Sequence, residues 1–487
     1  MPKIIIVGAG FAGLSAACFL AKSGHDVTVL EKNSSYGGRA RSFSEQGFFF
    51  DMGPSWYWLP DVFEKFFAKF GKKPSDYYDL VRLDPSYRVF FESQTIDMPA
   101  SIKELFELFD KYDPGSSLRL KHFLVEAEYK YNVAVNNLVY KPGLSLLELC
   151  DLDVIQGYFK VDLFNSIRKH ISKITTNKML QQILEFPVLF LGATPDDTPA
   201  LYSFMNHADL SLGTWYPMGG MFEVAKAMYE LATSLGVKFH FNAAVKSCDY
   251  NGDTISRVNT NAGSFDVEKL IATCDYHHFD QDVLKEKSNY SKKYWDTRTM
   301  SPSSLLFYIG LNKKLNQGLL HHNLFFDKSF DSHANEIYKD PKWPTDPLFY
   351  ICCPSLTDPS VAPDSSENIF ILVPLAPGLE DTEEIREIYF NKIMERLERL
   401  TGEQVKNHIV YKRSYAHNDF ISDYNAFKGN AYGLANTLLQ THILKPSCRH
   451  KTIKNLFFAG QLTVPGPGVP PSLISGELVA KLIDCEH

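Results

Sequence analysis

The sequence predicts an α/β fold, and three stretches carry that prediction. Residues 4–7 (IIIV) are a fully apolar run of strand length. Gly8, Gly10 and Gly13 follow in G-x-G-x-x-G spacing, and then a helical pattern puts Leu14, Ala17, Cys18 and Ala21 on one face. Near the other end, a second buried-strand pattern over 456–459 runs into Gly460, a glycine- and proline-rich loop, and a last helix over 472–483. Between them, residues 116–190 read as helix almost throughout, broken at Pro142-Gly143 and Pro187. The expected architecture is a Rossmann-like nucleotide-binding domain, an inserted mixed-sheet domain and a helical subdomain.

At the first stretch each residue type has a physical reason. Gly8 permits the tight turn after the strand, Gly10 lets backbone approach a pyrophosphate, and Gly13 lets helix and strand pack closely. The free N–H groups of the helix start, with the helix dipole behind them, favour a phosphate. A second strand over 26–30 ends at Glu31, whose carboxylate suits the two hydroxyls of an adenosine ribose; an acid there argues against a 2′-phosphate, and so against NADP. Lys3 ahead of an apolar run resembles a signal-peptide start, but the strand–turn–helix phasing accounts for the stretch better.

Next come Gly37-Gly38-Arg39-Ala40-Arg41, which can bring backbone and a guanidinium onto phosphate oxygens, and a strand over 48–51 leading to Met52-Gly53-Pro54-Ser55-Trp56. Residues 57–70 read as an amphipathic helix rich in Phe, 87–98 as a hairpin and 100–109 as a helix. Within the helical stretch, 154–174 has an apolar face of Tyr158, Phe159, Leu163, Phe164, Ile167, Ile171 and Ile174 and a basic face of Lys160, Arg168, Lys169 and Lys173. It suits either a core helix with a solvated face or a basic helix resting on an anionic membrane. Gly219-Gly220 open a helix over 222–235 and offer further N–H groups to a ligand. Strands over 237–241, 244–250, 254–260, 263–267 and 270–274 then return to the nucleotide-binding sheet. Strands over 303–311, 369–374 and 409–414 and a helix over 382–400 fill the second domain. The expected division is 1–75 with 215–285 and 450–487, 76–115 with 286–449, and 116–214.

Composition narrows the partners. At 487 residues with 45% hydrophobic and 22% charged residues, the chain is an ordinary folded protein of two or three domains, and a net charge of −7 gives no reason to expect nucleic acid. Eight cysteines without framework spacing fit a reducing compartment. The pairs His277–His278 and His321–His322 have no further ligands at metal spacing, so no metal is expected. No apolar run reaches the length of a membrane span.

Two glycine-rich strand ends far apart in sequence suggest a cofactor with two ends, and FAD has them: adenosine and pyrophosphate for the first, ribityl and flavin for the second. The opening motif with Glu31, Gly37-Gly38-Arg39-Ala40, and Gly460 to Pro470 before a last helix resemble the flavin amine-oxidase-like superfamily. Within it, Phe50-Asp51-Met52-Gly53-Pro54, Tyr216-Pro217-Met218-Gly219-Gly220 and Pro465-Gly466-Pro467-Gly468-Val469-Pro470 resemble the bacterial phytoene-desaturase type of carotenoid desaturase. The resemblance spans residues 4–483.

That resemblance implies an FAD-dependent enzyme that forms trans double bonds in a C40 isoprenoid by hydride transfer to flavin, phytoene to lycopene first among the reactions. It implies Gly8, Ala9, Gly10, Phe11, Ala12 and Gly13 at the pyrophosphate, Glu31 and Lys32 at the ribose, and Gly38, Arg39 and Ala40 at phosphate or ribityl. Gly53, Pro54, Ser55 and Trp56 would lie near the flavin ring, Val245 at the adenine, and Gly460, Val469 and Pro470 at ribityl and flavin. Trp215 and Tyr216 are the expected walls of the substrate pocket. No catalytic acid or base stands out. Oxygen or a quinone is the implied electron acceptor. The implied location is cytoplasmic, on the inner face of the cell membrane, with a helical, membrane-facing subdomain. The alternatives are a late desaturase acting on γ-carotene or a hydroxylated carotenoid (3,4-desaturation), an amine or porphyrinogen oxidase, and a prenyl-lipid escort protein without flavin.

Overall fold

The computed structural model describes residues 2–136, 138–145, 148, 165–189, 192–315, 318–437 and 440–486. Its first sheet has five parallel strands in the order Leu456–Phe458, Lys269–Ala272, Lys3–Val7, Asp26–Leu30 and Lys238–His240. Lys3–Val7 is central, and Ile4, Ile5 and Ile6 are fully buried, which is why this strand shows no polar alternation. Two helices pack together beside it, Phe11–Lys22 and Val469–Asp484. Their approach is close: a Cβ on Gly476 would lie 2.2 Å from Ala12 O. A three-stranded antiparallel sheet (Val245–Asn251, Thr254–Thr260, Gly263–Asp266) is appended to this unit.

The second sheet has seven strands in the order Ile409–Tyr415, Ser303–Leu311, Glu367–Leu375, Phe349–Cys352, His322–Phe325, Tyr87–Phe90 and Thr95–Met98. It is mixed, since His322–Phe325 and Tyr87–Phe90 run parallel while their neighbours are antiparallel. Every residue of Ser303–Leu311 is buried, because both faces are covered. Leu305, Phe307 and Ile309 pack against Phe390, Ile393 and Leu397 of the helix Glu383–Thr401. Leu306 and Tyr308 face the other way, into a core shared with Leu120 and Phe123 of the helix Ser116–Asn136 and with Ile183, Leu184 and Phe186 of the helix Lys178–Leu189. The fold is thus α/β, with a mixed-sheet second domain and a helical cover.

Two expectations change here. Residues 154–164 of the proposed basic helix lie outside the described residues. Of the remainder, only Ile167–Ile171 is helical, with Ile167 and Ile171 fully buried. Arg168 from its basic face is held by three acids, Glu185 (3.0 Å), Asp196 (2.9 Å) and Asp331 (2.5 Å). That guanidinium is thus paired with acids within the chain, two of them, Asp196 and Asp331, at its surface. The helix Phe222–Ser234 likewise has no N–H groups to spare at its start. Asp51 accepts from Met221 N (2.7 Å) and Phe222 N (2.9 Å), and Asp358 accepts from Gly219 N (2.6 Å). Among the described residues no helix is long and apolar enough to cross a membrane.

Candidate active site

A single cavity of about 810 Å³ runs from the first sheet to the helical cover. At one end Glu31 closes the strand Asp26–Leu30. Its backbone is fixed by His240 O, and its carboxylate accepts from Ala9 N and Asn33 N, each at 2.8 Å. Lys32, Ala243, Val245 and Cys274 complete this end. Lys32 is tied outward, to Ser422 O and to Asn425 Oδ1 (3.2 Å).

The middle of the cavity is made of backbone. Gly8 has φ +111°, and Gly38 comes so near Gly10 that a Cβ on it would lie 3.1 Å from Gly10 Cα. No side chain caps the helix that starts at Phe11, so its first N–H groups face the cavity unclaimed by a cap. Arg39 leans over the Tyr424 ring, 5.0 Å from its centre, and its Nε is buried with no partner. Gly8, Gly10, Phe11, Ala12, Gly38, Arg39 and Ala40 all line this stretch. Ala9 and Gly13 do not; they act behind it. Ala9 steadies Glu31, and a Cβ on Gly13 would lie 2.0 Å from Gly8 O.

Farther on, Gly53, Pro54, Ser55 and Trp56 face Gly460, Val469 and Pro470 across the cavity. Both walls are pinned. Tyr308 donates to Met52 O (2.6 Å), and a Cβ on Gly53 would lie 2.6 Å from Arg39 O. Opposite, Ser475 Oγ accepts from Gly460 N (2.9 Å) and donates to Val464 O (2.7 Å), tying the glycine–proline loop to the last helix. Asp51, two residues before Gly53, is half-buried, and desolvation pushes its carboxyl up to about 7 against the pull of its two backbone donors.

Beyond these walls the cavity becomes apolar. Val133, Ala134, Val135, Leu138 and Val139 line it from the helical cover, with Pro187, Leu201, Phe204 and Met205, and Leu306 and Leu372 come from the second sheet. Polar residues also line the cavity, among them Asn436, Thr437, Thr441 and His442. Behind Asn436 stands Lys445, whose Nζ donates to Asn436 Oδ1 (2.8 Å); burial with no nearby acid lowers its pKa to about 7.

The cavity does not reach Trp215 and Tyr216, the expected substrate walls. Their strand, Trp215–Pro217, pairs with Leu80–Arg82 and is turned into the protein. Trp215 donates to Leu212 O (2.9 Å) under Arg82, and Tyr216 packs 4.5 Å from the His321 ring. Val133, Ala134, Val135, Leu138 and Val139, which do line the apolar part, lie in the stretch 116–190 whose sequence reads as helix almost throughout.

The cavity fits FAD on three observations: glycine backbones where an added Cβ has no room, an uncapped helix start, and the orphaned Arg39 Nε at mid-length. Residues 11–484 match the family model of flavin containing amine oxidoreductases. The chain belongs to that family. Among its relatives, a carotenoid 3,4-desaturase of Haloarcula japonica is 41% identical over 483 residues, covering 99% of this chain and 97% of that one. A zeta-carotene-forming phytoene desaturase of Myxococcus xanthus is 30% identical over 488 residues, covering 98% and 93%. An oxidoreductase structure from Methanosarcina mazei has the same fold, with a TM-score of 0.65 at 14% identity, covering 99% of this chain and all of that one. As a member of this family the chain is an FAD-dependent oxidoreductase. Glu31 and Val245 line one end of the cavity, Gly8, Gly10, Phe11 and Ala12 with Gly38, Arg39 and Ala40 its middle, and Gly53 to Trp56 with Gly460, Val469 and Pro470 the stretch beyond.

Proposed function

We propose that this protein is a carotenoid desaturase, and specifically one that introduces a 3,4 double bond into a hydroxylated carotenoid. The observation that carries the reading is continuity: the cavity passes without a break from the nucleotide groove into an apolar tunnel. A polyene hydrocarbon suits such a tunnel, since burial gains about 25 cal/mol for each Å² of apolar surface removed from water. Both the 41% and the 30% identical relatives are named as carotenoid desaturases, and the former supports the 3,4 position.

The polar part of the lining supports the hydroxylated substrate. Asn436, Thr437, Thr441 and His442 bring polar atoms to the cavity wall, and a hydroxyl end offers them a hydrogen-bonding group that phytoene lacks. When bound, FAD supplies the two-electron acceptor that takes the hydride. The protein's own part is to hold the chain still and to keep water out. Val133, Ala134, Val135, Leu138 and Val139 with Leu201, Phe204 and Met205 do so from the helical cover, and Trp56 does so at the ring end. Oxygen or a quinone reoxidises the flavin.

We place the protein on the inner surface of the cell membrane, in contact with the lipid that holds its substrate. The helix Ser116–Asn136 supports this: Leu118 is 62% and Val125 61% exposed, with Tyr129 on the same stripe, while Ala134 and Val135 of that helix line the tunnel.

The test is expression in cells that make phytoene and, in parallel, in cells that make γ-carotene or its hydroxylated derivatives, followed by pigment extraction. A new double bond in the hydroxylated pigment alone is expected. Conversion of phytoene alone overturns the 3,4 reading, and no change in any pigment by an FAD-loaded protein overturns the desaturase reading.

A further inference from the structure

Behind the ring end, one layer away from the cavity, three potential metal ligands meet. The strands His322–Phe325 and Phe349–Cys352 pair antiparallel with His322 opposite Cys352. His321, just before the first strand, comes alongside, and ligating atoms of His321, His322 and Cys352 lie within 4.8 Å of one another, all buried. The two rings are held in the same way. His321 Nδ1 is 2.8 Å from Thr357 Oγ1, and His322 Nδ1 is 2.6 Å from Tyr350 OH. Each ring leaves its Nε2 buried with no partner.

A buried polar atom without a partner costs about 1–3 kcal/mol. Two of them in adjacent residues, beside a thiol, ask for something to bind. Metal-bound histidines are built this way: an oxygen anchors one ring nitrogen, which fixes the tautomer and aims the lone pair of the other. A second cavity, of about 20 Å³, touches Cys352, with Asp51, Ser55 and Tyr216 also in its wall. That is room for one water.

We propose that His321, His322 and Cys352 bind a Zn²⁺ ion, with a water in the small cavity as its fourth ligand. The donor set, two imidazoles and a thiolate, suits this ion, which takes four ligands in a tetrahedron. Binding releases the Cys352 thiol proton to solvent and changes no oxidation state. With the ion on Nε2, each Nδ1–H donates, one to Thr357 Oγ1 and one to Tyr350 OH.

The ion's role is to position the cavity wall. His322 stacks on Trp56 with ring centres 4.2 Å apart and planes 7° apart, and Tyr350 OH also meets Ser55 Oγ at 2.9 Å. Ser55, Trp56 and Tyr350 all line the main cavity. The site stands whether or not the substrate is a carotenoid.

The test uses the full-length, FAD-loaded protein, purified without a metal-affinity tag or chelator from cells grown with added zinc. Elemental analysis is expected to give about one zinc per chain, with an absorption-edge spectrum showing one sulfur at roughly 2.3 Å and two imidazole nitrogens. Cys352→Ala and His322→Gln are expected to lower zinc content at least roughly ten-fold while flavin absorbance reports that the chain has folded. The wild-type spectrum decides the matter even where a variant does not fold. Zinc below about one-tenth per chain, a zinc spectrum without sulfur, or zinc retained by both folded variants overturns the proposal.

Discussion

At its nucleotide end the cavity is walled largely by backbone: Gly8, Gly10, Gly38 and the uncapped helix start, with Glu31 and Arg39 among its charged side chains. At its far end it is walled by side chains: Val133, Ala134, Leu201, Phe204, Met205 and Leu306, brought from two helical segments and a sheet. The first wall has little room for variation, because an extra carbon on Gly38 comes 3.1 Å from Gly10 Cα and one on Gly13, just behind, comes 2.0 Å from Gly8 O. The second can be repacked, because its shape is the sum of many rotamers. The cofactor is therefore fixed by the chain's geometry, and the substrate by residues free to differ between relatives of the same fold.

This contrast breaks most visibly at Gly13. Gly13→Val drives a side chain into Gly8 O, with its Cβ 2.0 Å away. We expect a protein without flavin absorbance, destabilised by about 3 kcal/mol or more. Thermal unfolding and the flavin spectrum measure both, and a stable yellow variant would contradict the account of this wall. At the tunnel end, Ala134→Phe narrows the channel from the buried face of Ser116–Asn136. It is expected to lower kcat/KM by at least about ten-fold, or 1.4 kcal/mol, with FAD content unchanged.

Glu31→Gln sharpens the comparison from the other side. It replaces one carboxylate oxygen by an amide NH₂ that faces the Ala9 or Asn33 donor. FAD affinity is expected to fall by about 1.5–3 kcal/mol, ten- to a hundred-fold, and excess FAD is expected to restore turnover. Excess FAD leaves Ala134→Phe as slow as before. A tunnel variant rescued by FAD would dissolve the distinction between the two ends.

An effect read through pH concerns Lys445, whose pKa is lowered to about 7 from 10.5 by burial behind the tunnel wall. Below about pH 7 the folded and unfolded chains both hold the proton. Between about 7 and 10.5 only the unfolded chain binds it, so this residue makes stability rise with pH, by at most about 1.4 kcal/mol per unit. Lys445→Met is expected to be more stable than the wild type at pH 7 and to lose this rise. Urea unfolding at two pH values across the window checks it.

The same division explains what the sequence revealed. The nucleotide end is written in contiguous motifs, since turn, strand and helix must meet within a few residues; Gly8, Gly10, Gly13 and Glu31 are legible for that reason. The far wall was legible only as helix. Which of its residues face the tunnel depends on packing against Leu306 and Leu372, and no local pattern records that. Trp215 and Tyr216 are large aromatics that suit a pocket wall or a core equally well by sequence. Pairing with Leu80–Arg82 turns them inward. Asp51 could be read as a turn former, but its task is to cap a helix whose first residues, Met221 and Phe222, are distant in the chain. His321 and His322 gave no sign of a third ligand, because Cys352 reaches them only through strand pairing.

The central claim is that one cavity sets the flavin against a carotenoid. It is tested most directly by mixing the FAD-loaded protein, without oxygen, with liposomes carrying a hydroxylated carotenoid, and recording the flavin and polyene absorption together. The account predicts that the flavin bleaches as the polyene band moves to longer wavelength, in equal molar amounts. A flavin that stays oxidised with the carotenoid but bleaches with a diamine or a porphyrinogen would contradict it.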